Sequence, residues 1–417
     1  MPQPSLASPA VQSTPSEPTA TCDVAIVGAG VTGMTIACAL KDSGLRVISI
    51  DAAEREAAAA RTQVYALTLL TGHIFDGIGV WERILPKICT FKQIHLSDRG
   101  RLGVQFETGD LGTEQLGYVA EHSVLLSALH EFADDRCSQL TWICPAQVQG
   151  VEYDSEGVNL HVEADGRSQT IRARVLLAAD GKHSRIRGLA GIGTRGWKYW
   201  QSCITTKVRP QKGHGNIAYE RFWPSGPFAI LPLPGNRCNV VWTAPHAEAK
   251  ALAALDDEQF LVELKKRYGE AMGEIEPIGE RFVFPVQLMQ SDRYVLPRLA
   301  LVGDAAHCCH PVGGQGLNLG IRDAAAIAQI LQEAHKNGED LGSLKVLKRY
   351  ERWRKGENLT ILGFTDFLDR LFSNRWLPSV MLRQVGLWGL RHVSPLRRLA
   401  LRLMTGQLGR HPQLVRR

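Results

Sequence analysis

The residues best suited to chemistry begin with a run of glycines. Gly28-Ala29-Gly30-Val31-Thr32-Gly33 follows a short apolar segment, 24–27, and opens a segment of helical character. Glycine at 28 permits a tight turn, glycine at 30 lets the backbone come up to a pyrophosphate, and glycine at 33 lets helix and strand pack closely. The helix start adds unsatisfied N–H groups and a positive dipole end, both suited to phosphate oxygens. Asp51 closes the next strand 23 residues beyond Gly28, where an acid can accept hydrogen bonds from ribose hydroxyls. A dinucleotide site is the chemistry these residues can build. The motif alone does not separate NAD from FAD.

Two further segments make that separation. Asp180-Gly181-Lys182-His183-Ser184-Arg185 follows the apolar stretch 176–179. Gly303-Asp304-Ala305-Ala306-His307 follows the apolar stretch 299–302 and leads into Pro311-Val312-Gly313-Gly314-Gln315-Gly316-Leu317-Asn318, before an alanine-rich helix expected over 322–336. A helix start there offers N–H groups to an anion or to a polarised carbonyl such as a flavin pyrimidine edge. Either segment alone reads as an ordinary turn, since Gly and Asp are turn residues. His307-Cys308-Cys309-His310 holds zinc-ligand types, but consecutive side chains diverge and no Cys-x-x-Cys pair accompanies them. No metal is therefore expected; His307 reads as a satisfied histidine beside the flavin and the two cysteines as packing residues. No Ser/His/Asp or paired-carboxylate arrangement stands out.

The elements that must position these residues can be read around them. Segment 24–27, the glycine turn, a helix over 34–40 and a strand over 45–50 make one βαβ unit. Residues 140–179 alternate, with turns at 154–157 and 165–166, and predict antiparallel pairing. Residues 197–243 continue strand-like. Their aromatics Trp197, Tyr199, Trp200, Tyr219, Phe222, Trp223 and Phe228 either wall an apolar pocket or form sheet core. Residues 247–268 read as a charged covering helix, and the last seventy as helical segments broken by Pro378, Pro395 and glycines. A chain of 417 residues has room for two or three domains of roughly 100–200 residues.

Composition narrows the setting. Nine cysteines without a paired motif suit reduced thiols in a cytosol-like compartment, so a cytoplasmic location is expected. No stretch of about 18 residues is free of charge and strong polarity, as a membrane span requires. Residues 1–20 are rich in Pro, Ser, Thr and Ala and lack the basic start and apolar stretch of a secretory signal. They are expected to form a disordered extension.

Together the three glycine-bearing segments resemble the group A flavoprotein monooxygenases, and most nearly the aromatic-ring hydroxylases of ubiquinone biosynthesis, over residues 22–409. Residues 226–234 and 241–243 share the resemblance. It implies an α/β fold: an FAD-binding Rossmann-like three-layer domain from 21–195 and 292–345, interleaved with a mixed β-sheet substrate domain at 196–291. A C-terminal helical segment at 346–417 follows. By the same resemblance Gly28, Gly30, Val31, Thr32, Gly33 and Asp51 would hold the ADP part of FAD. Asp180 and Gly181 would lie near the pyrophosphate and serve NAD(P)H, and Gly303 and Asp304 would meet the ribityl chain or pyrophosphate. Pro311, Gly314, Gln315, Gly316, Leu317 and Asn318 would line the isoalloxazine, and Arg61 matches the flavin-side arginine. Two departures stand out: Asp51 sits where Glu is commoner, and the C-terminus is richer in arginine.

The activity implied is an NAD(P)H-using ring hydroxylation. Reduced flavin captures dioxygen, and a flavin hydroperoxide gives one oxygen atom to an electron-rich ring of a prenylated phenol or quinone precursor. The protein positions the ring and excludes water. A reductase or epoxidase of an isoprenoid is the enzymatic alternative. A non-catalytic flavin-binding accessory protein of quinone biosynthesis is the other, against which the intact 311–318 segment speaks.

Charge singles out the tail. Residues 370–417 hold ten Arg and no Lys, Asp or Glu, a net +10 in a chain of net +6, which leaves −4 on the rest. Ser394 can cap a helix that Pro395 begins and Gly406 ends. Leu396, Leu399, Ala400 and Leu403 then form one stripe, with Arg397, Arg398 and Arg402 beside it. That pattern suits a helix lying in a membrane surface, with docking on the mildly acidic body as the alternative. No nucleic-acid partner is expected, because no binding module accompanies the charge.

Overall fold

The computed structural model describes residues 18–99 and 101–416, so nearly all of the expected extension at 1–20 lies outside the described residues. Strand Ala20–Val27 lies between Val47–Ile50 and Arg167–Ala178, parallel to both. Leu140–Ile143 extends the sheet beyond Val47–Ile50, and Leu299–Leu301 extends it beyond Arg167–Ala178, again in parallel. Val24, Ala25, Ile26, Val175, Leu176 and Leu177 are buried completely, the pattern of strands covered on both faces. Helices Val31–Ala39, His122–Arg136 and Gln315–Lys336 pack on one another above them. In register Val27 lies beside Ile50 and Ala178, and Ala178 beside Leu301. The chain therefore leaves four neighbouring strands in one row, at Gly28, Asp51, Ala179 and Val302. Carboxyl ends of parallel strands are where such sheets bind ligands.

The antiparallel pairing expected over 140–179 holds for Ala146–Tyr153, Val158–Ala164 and Arg167–Ala178. Leu140–Ile143 instead pairs parallel with Val47–Ile50, because helix His122–Arg136 carries the chain across the sheet before it. The alanine-rich helix starts at Gln315, a full glycine segment earlier than its apolar pattern suggested.

The second sheet runs, from one edge, His307–Cys308, Phe282–Ser291, Thr194–Pro210, Arg237–Pro245, Gly226–Leu233, Ile217–Trp223, Gln93–Asp98 and Arg101–Glu107. Its last two strands come from 93–107, a hairpin that the sequence reading had kept with the dinucleotide unit. Ile94, Leu96, Val104 and Phe106 find cover there beside Ala218 and Phe222. Over the other part of the sheet lie two covering helices, His246–Ala254 and Asp257–Tyr268, the second started by the Asp256 carboxylate accepting from the Gln259 N–H at 2.8 Å. They bury Phe260, Leu264 and Tyr268 against Trp242.

Helices Leu344–Phe372, Leu377–His392 and Ser394–Met404 close the chain. Ser394 is the first helical residue and makes no capping bond, whereas Gly406 at φ 78° does stand past the helix end. Among the described residues no helix is long and apolar enough to cross a membrane.

One polar cluster joins these parts. Asp323, fully buried on helix Gln315–Lys336, accepts from Arg354 Nε at 2.7 Å, His307 Nε2 at 2.6 Å, Asn358 Nδ2 at 3.0 Å and the Gly303 N–H at 3.2 Å. Burial by itself pushes this carboxyl up, but the charges and hydrogen bonds of His307 and Arg354 outweigh it and hold it well below the ordinary range. A depressed carboxyl stabilises the fold above its unfolded pKa of about 3.9, and that contribution is lost as pH falls below it. We expect Asp323→Asn to lower unfolding stability by about 3–5 kcal/mol at neutral pH, since it strands the Arg354 charge. Urea midpoints followed from about pH 6 to about pH 3 should decline more steeply in the parent than in the variant. Parallel curves would show that Asp323 carries no such linkage.

Candidate active site

Each glycine of the first turn occupies a different situation. A side chain at Gly28, where φ is 105°, would collide with the Ala179 carbonyl, and one at Gly33 would collide with the Gly28 carbonyl. Those two are fixed by packing. A Cβ at Gly30 would meet nothing within 4 Å, so the start of the first helix is open to the cleft. The Val31, Thr32 and Gly33 N–H groups are the unsatisfied donors of that helix start. Asp51 accepts from the Ala29 N–H at 2.6 Å and the Ala53 N–H at 2.8 Å, which fixes its carboxylate beside the turn with lone pairs to spare.

The other two glycine turns close on the first. Gly303, at φ 61°, lies so near Thr32 and Gly320 that an added Cβ would come within 3.1 Å of the threonine methyl. Arg187 ties the Asp180 and Gly303 turns together, donating to the Ala305 carbonyl at 2.8 Å and the Lys182 carbonyl at 3.0 Å. Asp180 uses one oxygen on the Ile186 N–H at 3.2 Å; its other oxygen is buried without a partner among the described residues. Gly181 beside it has open space. An orphaned acceptor, two open glycines and two helix starts in one cleft fit a bound dinucleotide with polar groups along its chain. Asp304 reaches into the cleft; burial raises its carboxyl, against the lowering effect of His307 and Lys182. His307 itself is spent on Asp323.

The segment 311–318 divides into two sets. Gln315 and Asn318 face the protein. Asn318 donates to the Ala66 and Gly314 carbonyls at 2.8 and 2.7 Å and accepts from the Thr68 N–H and Thr71 hydroxyl at 2.8 and 2.6 Å. Gln315 donates to the Gly313 and Met404 carbonyls, both at 3.1 Å. Both side chains hold the loop in place, and Gln315 keeps its Oε1 without a partner among the described residues. Pro311, Gly314, Gly316 and Leu317 line a cavity of about 760 Å³, together with Arg61 and Asp304. That size is ordinary for an organic ligand, roughly 300–1,000 Å³. A Cβ at Gly316 would find only the Cys309 sulfur, 4.0 Å away.

From the glycine loop the cavity runs between the second sheet and strand Val64–Leu67, past Phe91, Ile94, Leu96, Leu116 and Leu231, an apolar stretch of its lining. Phe282 and Phe284 line it and are also partly exposed. The aromatics weighed from sequence do not wall it, Tyr219 excepted: Phe222 and Phe228 are core, Trp197 and Trp200 lie on the surface, and Trp223 faces the other side of its strand. One residue missed from sequence projects into the cavity, Glu220. Burial pushes its carboxyl up to about 8, partly offset by the nearby Gly313 N–H. The signal was present: an acid between Ala218 and Phe222 on the inward face of strand Ile217–Trp223.

Residues 21–357 match the family model described as an FAD binding domain. An uncharacterized protein of Synechocystis is 52% identical over 94% of this chain and 95% of its own length. The ubiquinone hydroxylase of Rhodospirillum rubrum is 38% identical over 94% of this chain and 91% of its own. Among solved structures, the p-nitrophenol 4-monooxygenase of Pseudomonas putida superposes with a TM-score of 0.80 over 94% of this chain and all of its own, at 18% identity, a likeness of fold. The chain belongs to the FAD binding domain family and, within it, to the group A flavoprotein monooxygenases, enzymes that bind FAD and draw electrons from NAD(P)H.

Proposed function

We propose that the chain hydroxylates the ring of an apolar phenol, a prenylated precursor of a quinone. The observation that carries this reading is the cavity: the glycine loop and a group of apolar side chains line it together, and Glu220 projects among them. The name of the Rhodospirillum rubrum relative, a ubiquinone hydroxylase, supports the same substrate class. Bound FAD, once reduced by NAD(P)H, supplies activated dioxygen. The chain does the rest. N–H groups at Val31 to Gly33 take the pyrophosphate, Asp51 the adenosine ribose, and Asp180, Gly181, Gly303 and Asp304 the chain between phosphates and ring. The N–H groups at the start of helix Gln315–Lys336 face the pyrimidine edge, with Arg61 at the rim. The second sheet and strand Val64–Leu67 exclude water from the ring to be hydroxylated.

We also infer that the C-terminal helices rest on an anionic membrane surface. The stripe expected on Ser394–Met404 is only half right: Leu401 buries against the body, while Leu396 and Leu399 stay exposed. The larger apolar face belongs to the preceding helix. Trp376, Leu377, Met381, Leu382, Val385 and Trp388 are each more than half exposed. The opposite side of that helix is locked down by Arg383, which donates to Asp98 at 2.9 Å and to the Phe372 and Asn374 carbonyls at 3.1 Å. Arg397 is taken by Asp110, so Arg375, Arg391, Arg398 and Arg402 are the arginines that would meet head groups. An apolar face amid cations suits acyl chains below and anionic lipid around it, where a bilayer-soluble phenol would be held.

Three measurements follow from these readings. Anaerobic NAD(P)H should bleach the bound flavin, and oxygen with a prenylated phenol should then yield a product heavier by one oxygen atom; flavin reoxidation without product from any phenol would exclude the hydroxylase reading. Gly30→Val, which has space to fold, should retain flavin at least about tenfold more weakly, and Gly316→Leu should keep flavin while losing turnover on the order of 100-fold by displacing the ring. Full flavin content in the first variant, or full turnover in the second, would mean the cofactor lies elsewhere. The parent should sediment with phosphatidylglycerol vesicles. Arg398→Gln with Arg402→Gln should weaken that binding roughly 30-fold at low salt, and Met381→Ser with Trp388→Ser should weaken it at all salt concentrations. A parent that stays in the supernatant, or variants that pellet equally, would rule out the membrane.

A further inference from the structure

We propose that Glu220 is the general base of the reaction: its carboxylate holds the ring hydroxyl of the substrate and takes that proton before oxygen transfer. The proposal rests on the ring-hydroxylase reading above and on where the strand puts this residue. Strand Ile217–Trp223 alternates, sending Ala218, Glu220 and Phe222 to one side and Arg221 and Trp223 to the other, while Tyr219 borders both this cavity and the one on the other face. Ala218 and Phe222 join an apolar cluster with Ile94, Leu96 and Leu231. Glu220 is thus an acid in a row of apolar side chains, and among the described residues no Lys, Arg or His pairs with it within 4 Å. A carboxyl with no ion-pair partner, set among apolar side chains of the cavity, is a group that folding does not need.

Its position along the cavity has chemical meaning. The Gly313 N–H stands near the carboxyl, so Glu220 lies beside the loop that would carry the flavin ring, at the junction of the polar and apolar ends. A phenol whose tail fills the apolar end presents its ring and hydroxyl at this junction. The other titratable groups facing the cavity are Arg61, Tyr65, Tyr219, Asp304 and Cys309. Burial pushes the Tyr65 phenol and the Cys309 thiol up to about 12 and raises Tyr219, so none of these three can accept a proton near neutrality. Asp304 lies among the groups that a flavin chain would cover. That leaves Glu220.

Burial also matches the base to its acid. A phenol ionises near 10 and an ordinary glutamate near 4.3, a gap of about six decades in proton affinity. With the carboxyl near 8 the gap narrows to about two. In the step itself the O–H bond of the phenol breaks, its proton passes to a carboxylate oxygen, and the ring becomes the more electron-rich phenolate. A ring carbon then bonds to one oxygen atom of the activated dioxygen. The other atom leaves as water, and the electron pair comes from NAD(P)H. The ring C–H proton departs as aromaticity returns, and the Glu220 proton goes back to the phenolate oxygen.

The test compares the holoenzyme with Glu220→Gln and Glu220→Asp, using flavin content as the measure of folding. A nitrophenol probe, whose absorbance reports ionisation, is titrated into each oxidised holoenzyme between about pH 6 and about pH 9. In lightly buffered solution at about pH 9, binding of the ionised probe should take up close to one proton per flavin in the parent and almost none in Glu220→Gln, with Glu220→Asp between, because a phenolate and a carboxylate side by side do not both stay charged. Product formation from an unsubstituted phenol should fall about 10²–10⁴-fold in Glu220→Gln, and the deficit should shrink along a fluorinated series as the phenol grows more acidic. Equal proton uptake in parent and Glu220→Gln, or a loss independent of phenol acidity, would overturn the assignment. If the parent takes up the proton but oxygenates no phenol, the hydroxylase reading falls while Glu220 stands as the base. If the parent hydroxylates and the variant matches it, the reverse holds.

Discussion

An ionised carboxylate taken out of water is destabilised by many kcal/mol unless donors replace its hydration, and Asp323 is out of water completely. Four donor groups replace it, from two segments of the chain: the Gly303 backbone and the His307 ring beyond strand Leu299–Leu301, and Arg354 and Asn358 on helix Leu344–Phe372. Arg354 in turn is shared with Glu357 and Asn358. The cluster therefore joins helix Gln315–Lys336, helix Leu344–Phe372 and the turn after strand Leu299–Leu301. Because the bonds are directional and the charge cannot be left unpaired, the turn has one permitted arrangement. The direction in which Asp304 enters the cleft follows from it.

The same device recurs around the cavity. Asn318 has four bonds to strand Val64–Leu67, to helix Leu69–Ile78 and to its own loop, and Gln315 reaches the end of the last helix at Met404. Arg187 and Arg383 do likewise, each donating to carbonyls at junctions between elements. Apolar packing supplies most of the stability but is indifferent to direction. Directional polar bonds fix how segments far apart in sequence face one another across the cavity, here 61–68, 220, 303–318 and 404–405.

Legibility in the sequence followed locality. Glycines at 28, 30 and 33, Asp51, and the turns after 179 and 302 could be read because each is set by a few consecutive residues and a steric requirement that only glycine meets. Hairpin 93–107 could not, since its partner strand begins at Ile217 and nothing local fixes that pairing. Asn318 and Gln315 carry the right residue types for ligand contact, and only tertiary bonds reveal that Asn318 is tied to the protein on both its amide atoms while Gln315 is tied through its nitrogen alone. The aromatics of 197–228 divide between core, surface and cavity by strand alternation and by what covers each face, neither of which composition contains. In the tail, the periodicity of Ser394–Met404 was real, yet Leu401 rather than the stripe became the buried anchor.

A contrast follows between two kinds of unusual residue. Where a polar group is buried and fully bonded, as with Asp323, Asn318 and Arg383, the fold itself accounts for it. Two features have no such account. Glu220 keeps a carboxyl in an apolar cavity with no ion-pair partner among the described residues, which raises its affinity for a proton. Helix Leu377–His392 leaves large apolar side chains in water, although its other face is firmly held. A leucine or glutamine at position 220, or serines along that helix face, would satisfy local packing and solvation better. Folding alone gives no reason for either choice, and both lie where an apolar, ionisable guest would act: one at the point where its ring would rest, the other on the surface through which it would arrive.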